Sequence, residues 1–222
     1  MFVRDFMTRD PITITSEVSH PDALELMHKH RIRRLPVISK GKLVGIVAEK
    51  DLLSNQPSPA TTLSVFEANT LLRNLHVHDI MVRPVVTVEG DCPMEEAACI
   101  MVARKIGCLP VMDGDRIVGI ITETDVFRAL VEVLGGKEPG LRVVVRLPER
   151  VGEAARVTAE IAAQGGNIVA ITSSQVLEGR YREATIKVTG IEPGDFRELF
   201  ENQDIEVVDL GAMMSYEPKL FG

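Results

Sequence analysis

Two aspartates, Asp51 and Asp125, each follow a continuous apolar run typical of a buried strand, and each lies just inside the helix predicted next. A carboxylate at such a junction can point into a crevice and accept hydrogen bonds from both hydroxyls of a ribose. Thr122 lies three residues before Asp125, whereas Ala48 holds that place before Asp51. Thr122 and Asp125 also fit a helix capping box, so capping alone explains the second aspartate but not the first.

Basic residues precede the first Leu-Pro-Val and are candidates for holding phosphate groups. Arg33 and Arg34 are neighbours on a predicted strand, so only one of them can face a given side. The corresponding residues of the second half are Gly107 and Cys108, and charged phosphates are therefore expected to favour the arginines. An exposed basic edge explains the same residues without any ligand.

These residues recur because the chain repeats itself with a shift of 74 residues, giving 15 identities over the 49 positions that align 5–53 with 79–127. Leu-Pro-Val and Val-Gly-Ile recur, and so do Arg9 and Arg83, which are further candidates for phosphate contact. The apolar spacing in each copy predicts the order β-α-β-β-α.

Composition limits the classes of function. The net charge of −7 argues against a nucleic-acid backbone as partner, because such binding depends on an excess of Lys and Arg. Three cysteines at unmatched spacings do not form a disulfide framework, and no apolar stretch is long enough for a membrane span. We therefore expect a cytoplasmic location. Nothing in the sequence indicates catalysis, a metal site or a resident cofactor.

The repeat resembles the cystathionine-β-synthase (CBS) domain in its Met-Thr-Arg-Asp-Pro opening, its Leu-Pro-Val and its Gly-Ile-Ile-Thr-Glu-Thr-Asp closing segment. Two such domains in tandem resemble a CBS pair, or Bateman module, over roughly residues 1–134. This resemblance implies an adenine nucleotide (AMP, ADP or ATP) in the cleft, with Asp51 and Asp125 on the ribose. The base slot that it implies, which apolar packing explains equally well, is formed by Ile12, Thr13, Leu35, Pro36, Val86, Thr87, Leu109 and Pro110.

The connector between the copies is unusually long. Ser64 can cap a helix in which Phe66, Thr70 and Leu71, with Leu63 before them, recur at helical spacing. The insert resembles that of the acetoin-utilisation AcuB-type CBS proteins, which suggests a link to acetoin or other central metabolism. The alternative is a helix that simply packs on the pair.

The C-terminal part predicts a ferredoxin-like βαββαβ domain. Its Pro-x-x-x-Gly and Gly-Gly-Asn-Ile segments resemble the ACT domain over residues 141–212. The resemblance implies an amino-acid site at a dimer interface, with Gly152 and Asn167 at the matching positions; both also suit ordinary turns.

The sequence thus predicts an α/β (α+β) chain whose CBS pair is a nucleotide sensor, assembled as a homodimer or larger oligomer and acting on a partner enzyme. The alternatives are an S-adenosylmethionine binder and a ligand-free structural or interaction subunit. The predicted segments are repeat one (1–55), the connector with its helix (56–76), repeat two (77–134), a linker (135–140), the ACT domain (141–212) and a tail (213–222).

Overall fold

The first repeat forms a three-stranded sheet from short apolar strands. The computed structural model describes residues 1–57, 64–175, 180–200 and 204–212. The elements of the first repeat are α1 (Val3–Phe6), β1 (Thr8–Arg9), β2 (Ile14–Thr15), α2 (His20–His30), β3 (Arg34–Ser39), β4 (Lys42–Ala48) and α3 (Glu49–Ser54). The sheet order is β2-β3-β4, with β2 parallel and β4 antiparallel to β3.

The second repeat follows the connector helix α4 (Val65–Asn74) and has the same order of elements, except that residues 77–133, all of which the structure describes, form no strand equivalent to β1. Its elements are α5 (Val77–Ile80), β5 (Val88–Glu89), α6 (Met94–Arg104), β6 (Cys108–Asp113), β7 (Arg116–Thr122) and α7 (Glu123–Val133). The predicted β-α-β-β-α order is confirmed in both copies. The sheet, however, has four strands in the order β1-β7-β6-β5, so a strand from the first repeat completes the sheet of the second.

The two repeats exchange their leading segments. Thr8 pairs with Ile120 on β7, while Val82, just before the second repeat's own strands, bridges to Ile46 on β4. The sulfur of Met7 therefore lies over Gly119, and the sulfur of Met81 lies over Gly45. An added Cβ at either glycine would collide with that sulfur, which explains why Val-Gly-Ile recurs.

Helix α2 shows how local sequence sets these elements. Ser19 caps it through the backbone N–H of Asp22, and the C-cap residue Arg31 adopts the left-handed conformation. Ala23 and Met27 lie one turn apart and are fully buried against the sheet.

The connector helix α4 begins as predicted, with a capping box between Ser64 and Glu67. The helix lies against α2, as the packing alternative expects, but not through the apolar face identified from the sequence. Phe66 is 79% exposed and Leu71 is 56% exposed, while Leu72 lines a groove beside α2. The predicted apolar face therefore lies in solvent among the described residues, and Leu63 lies outside them.

The second compact unit, Arg128–Gly222, follows the first, Met1–Phe127. Its elements after α7 are β8 (Leu141–Pro148), α8 (Glu153–Ala163), β9 (Asn167–Gln175), β10 (Tyr181–Thr189), α9 (Pro193–Phe200) and β11 (Glu206–Ala212). The sheet is antiparallel in the order β11-β8-β10-β9. This is the predicted βαββαβ arrangement.

The core of this unit lies under α8 and α9, where Phe196 and Phe200 pack against each other with ring centroids 5.3 Å apart. Lys187 is 3% exposed, and its ammonium donates a hydrogen bond to the carbonyl of Gly135. The segment predicted as a linker is therefore anchored by a buried charge. Across the described parts of the chain, no helix is long and apolar enough to cross a membrane.

Candidate functional site

Both predicted ribose aspartates lie at the third position of a helix that begins directly after a strand. β4 ends at Ala48 and α3 begins at Glu49, while β7 ends at Thr122 and α7 begins at Glu123. Backbone N–H groups in the first turn of a helix favour negative charge. The strand-to-helix junction predicted for both copies is therefore present.

Asp125 is 5% exposed and already has hydrogen-bond partners. Its Oδ2 accepts from the backbone N–H of Thr122 at 3.0 Å and from the Thr122 hydroxyl at 2.6 Å. The capping alternative thus describes Asp125 in this structure. A ribose hydroxyl would have to share or replace the Thr122 hydroxyl.

Asp51 has a different environment. Ala48 has no hydroxyl to offer, and α3 has no side-chain cap. The Asp51 carbonyl accepts hydrogen bonds from Ser54 and Asn55. Its half-buried carboxylate has no hydrogen-bond partner within residues 1–57, 64–175, 180–200 and 204–212, and it can therefore accept hydrogen bonds from a ligand.

Arg34 connects the two junctions. It opens β3 and pairs in register with Ala48, while Cys108 opens β6 and pairs in register with Thr122. Burial raises the pKa of the Cys108 thiol, and the neighbouring Arg34 guanidinium offsets part of that rise through its charge and a hydrogen bond. We call the six residues of these two strand-to-helix junctions the central groove, after the cleft that the CBS resemblance implies: Ala48, Asp51, Arg34, Cys108, Thr122 and Asp125.

Gly107 makes room for this arrangement. A Cβ at Gly107 would lie 2.6 Å from Nη2 of Arg34 and 2.9 Å from Oε2 of Glu123, so both charged groups converge on the same spot. The equivalent residue of the first copy is Arg33, which is exposed. The structure therefore brings Arg34, and not Arg33, to the second repeat.

Some residues of the predicted base slot are buried in the core, and the others lie nearer the surface. Leu35 and Leu109 are fully buried, and Pro36 and Pro110 are buried with them, as the packing alternative requires. Ile12, Thr13 and Val86 are half-buried and border the strands, while Thr87 is exposed. Thr87 lines a cavity of about 720 Å³ together with Lys42 and Asp115, whose side chains form an ion pair.

The recurring arginines Arg9 and Arg83 make equivalent contacts. Each donates through Nη2 to a backbone carbonyl five residues earlier, that of Arg4 or His78. Arg9 also lines a cavity of about 590 Å³ with Arg4 and Arg116. Sequence reasoning missed this cavity because it depends on the exchanged β1 strand, for which the repeat alone gives no signal.

The two predicted ACT residues lie at opposite ends of their sheet. Gly152 caps α8 just after Pro148, which pairs with Tyr181 at the start of β10. Asn167 pairs with Thr189 at the end of β10. One chain therefore does not bring Gly152 and Asn167 together, although Gly152 lines a cavity of about 500 Å³.

This geometry agrees with known proteins. The CBS domain family model matches residues 3–58 and 77–132. Protein MJ1225 from Methanocaldococcus jannaschii is 37% identical over 128 residues, which are 57% of this chain and 46% of that protein.

Two solved structures are also similar. That of the acetoin utilization protein AcuB from Vibrio cholerae is 33% identical and covers 62% of this chain and 95% of the other, with a TM-score of 0.51. That of CBSX2, described in complex with AMP, is 31% identical and covers 60% of this chain and 97% of the other, with a TM-score of 0.49.

The matches are partial. The chain spans less than half of MJ1225, and relatives that carry enzyme names are matched over 23% or 24% of their length. The family model leaves residues 133–222 unmatched.

Proposed function

This chain belongs to the CBS domain family, and on that premise we propose that its two repeats bind an adenine nucleotide in the central groove and act as a regulatory sensor. The observation that carries the proposal is the arrangement of the two junctions in the central groove. Asp51, whose half-buried carboxylate has no partner among the described residues, follows Ala48, the register partner of Arg34. The buried Asp125 follows Thr122, the register partner of Cys108.

These groups suit the parts of a nucleotide. A carboxylate accepts two hydrogen bonds from a ribose diol, and a guanidinium donates to phosphate oxygens. A hydrogen bond to a charged group contributes about 1.5–3 kcal/mol, which corresponds to roughly ten- to a hundredfold in affinity.

Regulation requires that the nucleotide bind one arrangement of the module better than another. The proposal includes a partner enzyme whose activity the module regulates. Acetoin utilisation is one candidate for the regulated process. No catalytic step is assigned to the chain.

The test is a calorimetric titration of AMP and ATP into the wild type, Asp51→Ala and Asp125→Ala. Each substitution is expected to weaken binding roughly tenfold or more. Asp22→Ala is the matched control, because Asp22 also occupies the third position of a helix and accepts a hydrogen bond from its capping residue, Ser19, at 2.6 Å. Unchanged affinity in both groove variants would remove the ribose assignment.

One observation favours a second candidate, a ligand-free interaction subunit. The Thr122 hydroxyl already donates a hydrogen bond to the Asp125 carboxylate that a ribose would need. Leu35 and Leu109, two residues of the predicted base slot, are buried in the core. A thermal-shift screen of AMP, ADP, ATP and S-adenosylmethionine separates the two candidates, because a specific ligand stabilises the folded state by mass action. A flat response to all four would favour the interaction subunit.

For the C-terminal unit we propose an ACT-type role in self-association or amino-acid binding. The βαββαβ order and the cavity beside Gly152 support this proposal. A separate observation supports self-association of the chain: helix α7 of the second repeat exposes Phe127 (65%), Leu130 and Val131 at helical spacing, which suits a homodimer contact. Light scattering of the wild type and Phe127→Ser tests assembly, and an unchanged mass would exclude Phe127 from the contact.

A further inference from the structure

Arg34, the cation among the six residues of the central groove, has a carboxylate beside it. Arg34 Nη2 and Glu123 Oε2 lie 2.6 Å and 2.9 Å from the same point, the position that a Cβ of Gly107 would take. Because the two groups converge at Gly107, the negative charge of Glu123 offsets the positive charge that Arg34 presents to a ligand.

The other residues of the central groove add no positive charge. Arg33 is exposed at the position equivalent to Gly107. Cys108 stands where the first copy has Arg34, and burial raises the pKa of its thiol, which is therefore uncharged near neutral pH. Asp51 and Asp125 add negative charge on either side. At the groove residues and Glu123, a ligand with many phosphates would therefore meet one offset cation and three carboxylates.

We propose that Glu123 limits the charge of the ligand, so that the groove takes adenosine derivatives with no more than one phosphate. This inference rests on the proposed function and narrows it to a ligand class. AMP fits the class, as do adenosine derivatives without phosphate, and ATP does not. Glu123 acts through Arg34 and the local field, as a specificity-determining residue rather than a catalytic one.

The repeat supplies a matched control for Glu123. Glu49 occupies the same position in the first copy, but its Oε1 lies 3.2 Å from Nε2 of His28. The residue equivalent to Gly107 in that copy is Arg33 and not a glycine. Removing the charge of Glu49 changes the net charge of the protein by the same amount. Any effect confined to Glu123 therefore comes from its place beside Arg34.

The experiment measures AMP and ATP affinity by calorimetry, without divalent cations, for the wild type, Glu123→Gln and Glu49→Gln. The wild type is expected to prefer AMP. Glu123→Gln should raise ATP affinity relative to AMP by roughly fivefold or more, because ATP carries the larger negative charge. Glu49→Gln should leave the ratio near the wild-type value, and the shift in Glu123→Gln should shrink at high salt.

The outcomes separate the two proposals. A wild type that prefers ATP, an unchanged ratio in Glu123→Gln, or an equal shift in Glu49→Gln would overturn the inference while leaving nucleotide binding intact. A wild type that binds neither nucleotide would overturn the proposed function and the inference with it. Circular dichroism confirms folding, which both exposed or half-buried glutamates should tolerate.

Discussion

The two repeats share one backbone plan but differ where they meet the groove. The first copy places Ala48, Asp51 and Arg34 there, and the second places Thr122, Asp125 and Cys108. Asp125 is buried and held by Thr122, whereas the Asp51 carboxylate has no partner in the described part of the chain. The two copies therefore keep the same framework, while the equivalent groove residues have different surroundings.

The largest expected effect tests the shared framework. Leu35→Ala and Leu109→Ala each remove a fully buried side chain at equivalent positions, and each should lower the free energy of unfolding by about 2–5 kcal/mol. Urea denaturation followed by circular dichroism measures both. A loss confined to one variant would mean that the two cores are not equivalent.

A smaller effect tests the exchange of leading segments. Gly119→Ala should lower the free energy of unfolding by roughly 1–3 kcal/mol, because the new methyl group meets the sulfur of Met7. Adding Met7→Ala should recover part of the loss, whereas adding Met81→Ala should not, since Met81 lies over Gly45. Recovery by Met81→Ala instead would contradict the exchange.

The aspartates sharpen the comparison further. Asp125→Ala should cost about 1 kcal/mol in the absence of ligand, because it loses the contacts with Thr122. Asp51→Ala should cost roughly 0.5 kcal/mol or less, since it loses only a favourable position in the first turn of a short helix. Equal losses in urea denaturation would show that the two carboxylates do not differ in their surroundings.

The smallest effect concerns the residue that replaces Arg34 in the second copy. Only the thiolate of a cysteine reacts with iodoacetamide, and the raised pKa of Cys108 keeps it protonated at neutral pH. Its alkylation should therefore be slow near pH 7 and continue to accelerate above about pH 9, where a free cysteine peptide levels off. Peptide mass spectrometry follows it separately from the exposed Cys99. Levelling at the pH of the free peptide would contradict the raised pKa.

Sequence patterns predicted the helices and strands better than the contacts between them. Apolar spacing and turn residues predicted β-α-β-β-α twice and βαββαβ once, and Ser64 predicted the start of α4. The exchange was not predictable, because two matching copies do not say which methionine packs on which glycine. Phe66 shows a second limit, since helical spacing identifies an apolar face but not whether another element covers it.

The groove was predictable in part. The contrast between Thr122 and Ala48 indicated that the two aspartates differ, and the arginine pair indicated that one side chain turns away. The approach of Glu123 to Arg34 across Gly107 was not visible, because it joins residues 89 positions apart. Gly152 and Asn167 lie apart in one chain because β8 and β9, on either side of β10, run parallel to each other. Gly152 follows the end of β8 and Asn167 begins β9, so they lie at opposite ends of the sheet.

The exchanged leading segments have a consequence for how such a duplicated chain can arise. Each half carries the piece that finishes the other half, since residues 8–9 complete the sheet of the second repeat and residue 82 bridges to the sheet of the first. An ancestor with a single copy would have satisfied this requirement by lending its leading segment to a second molecule. Fusion of two genes would then have turned an association between chains into one within a chain.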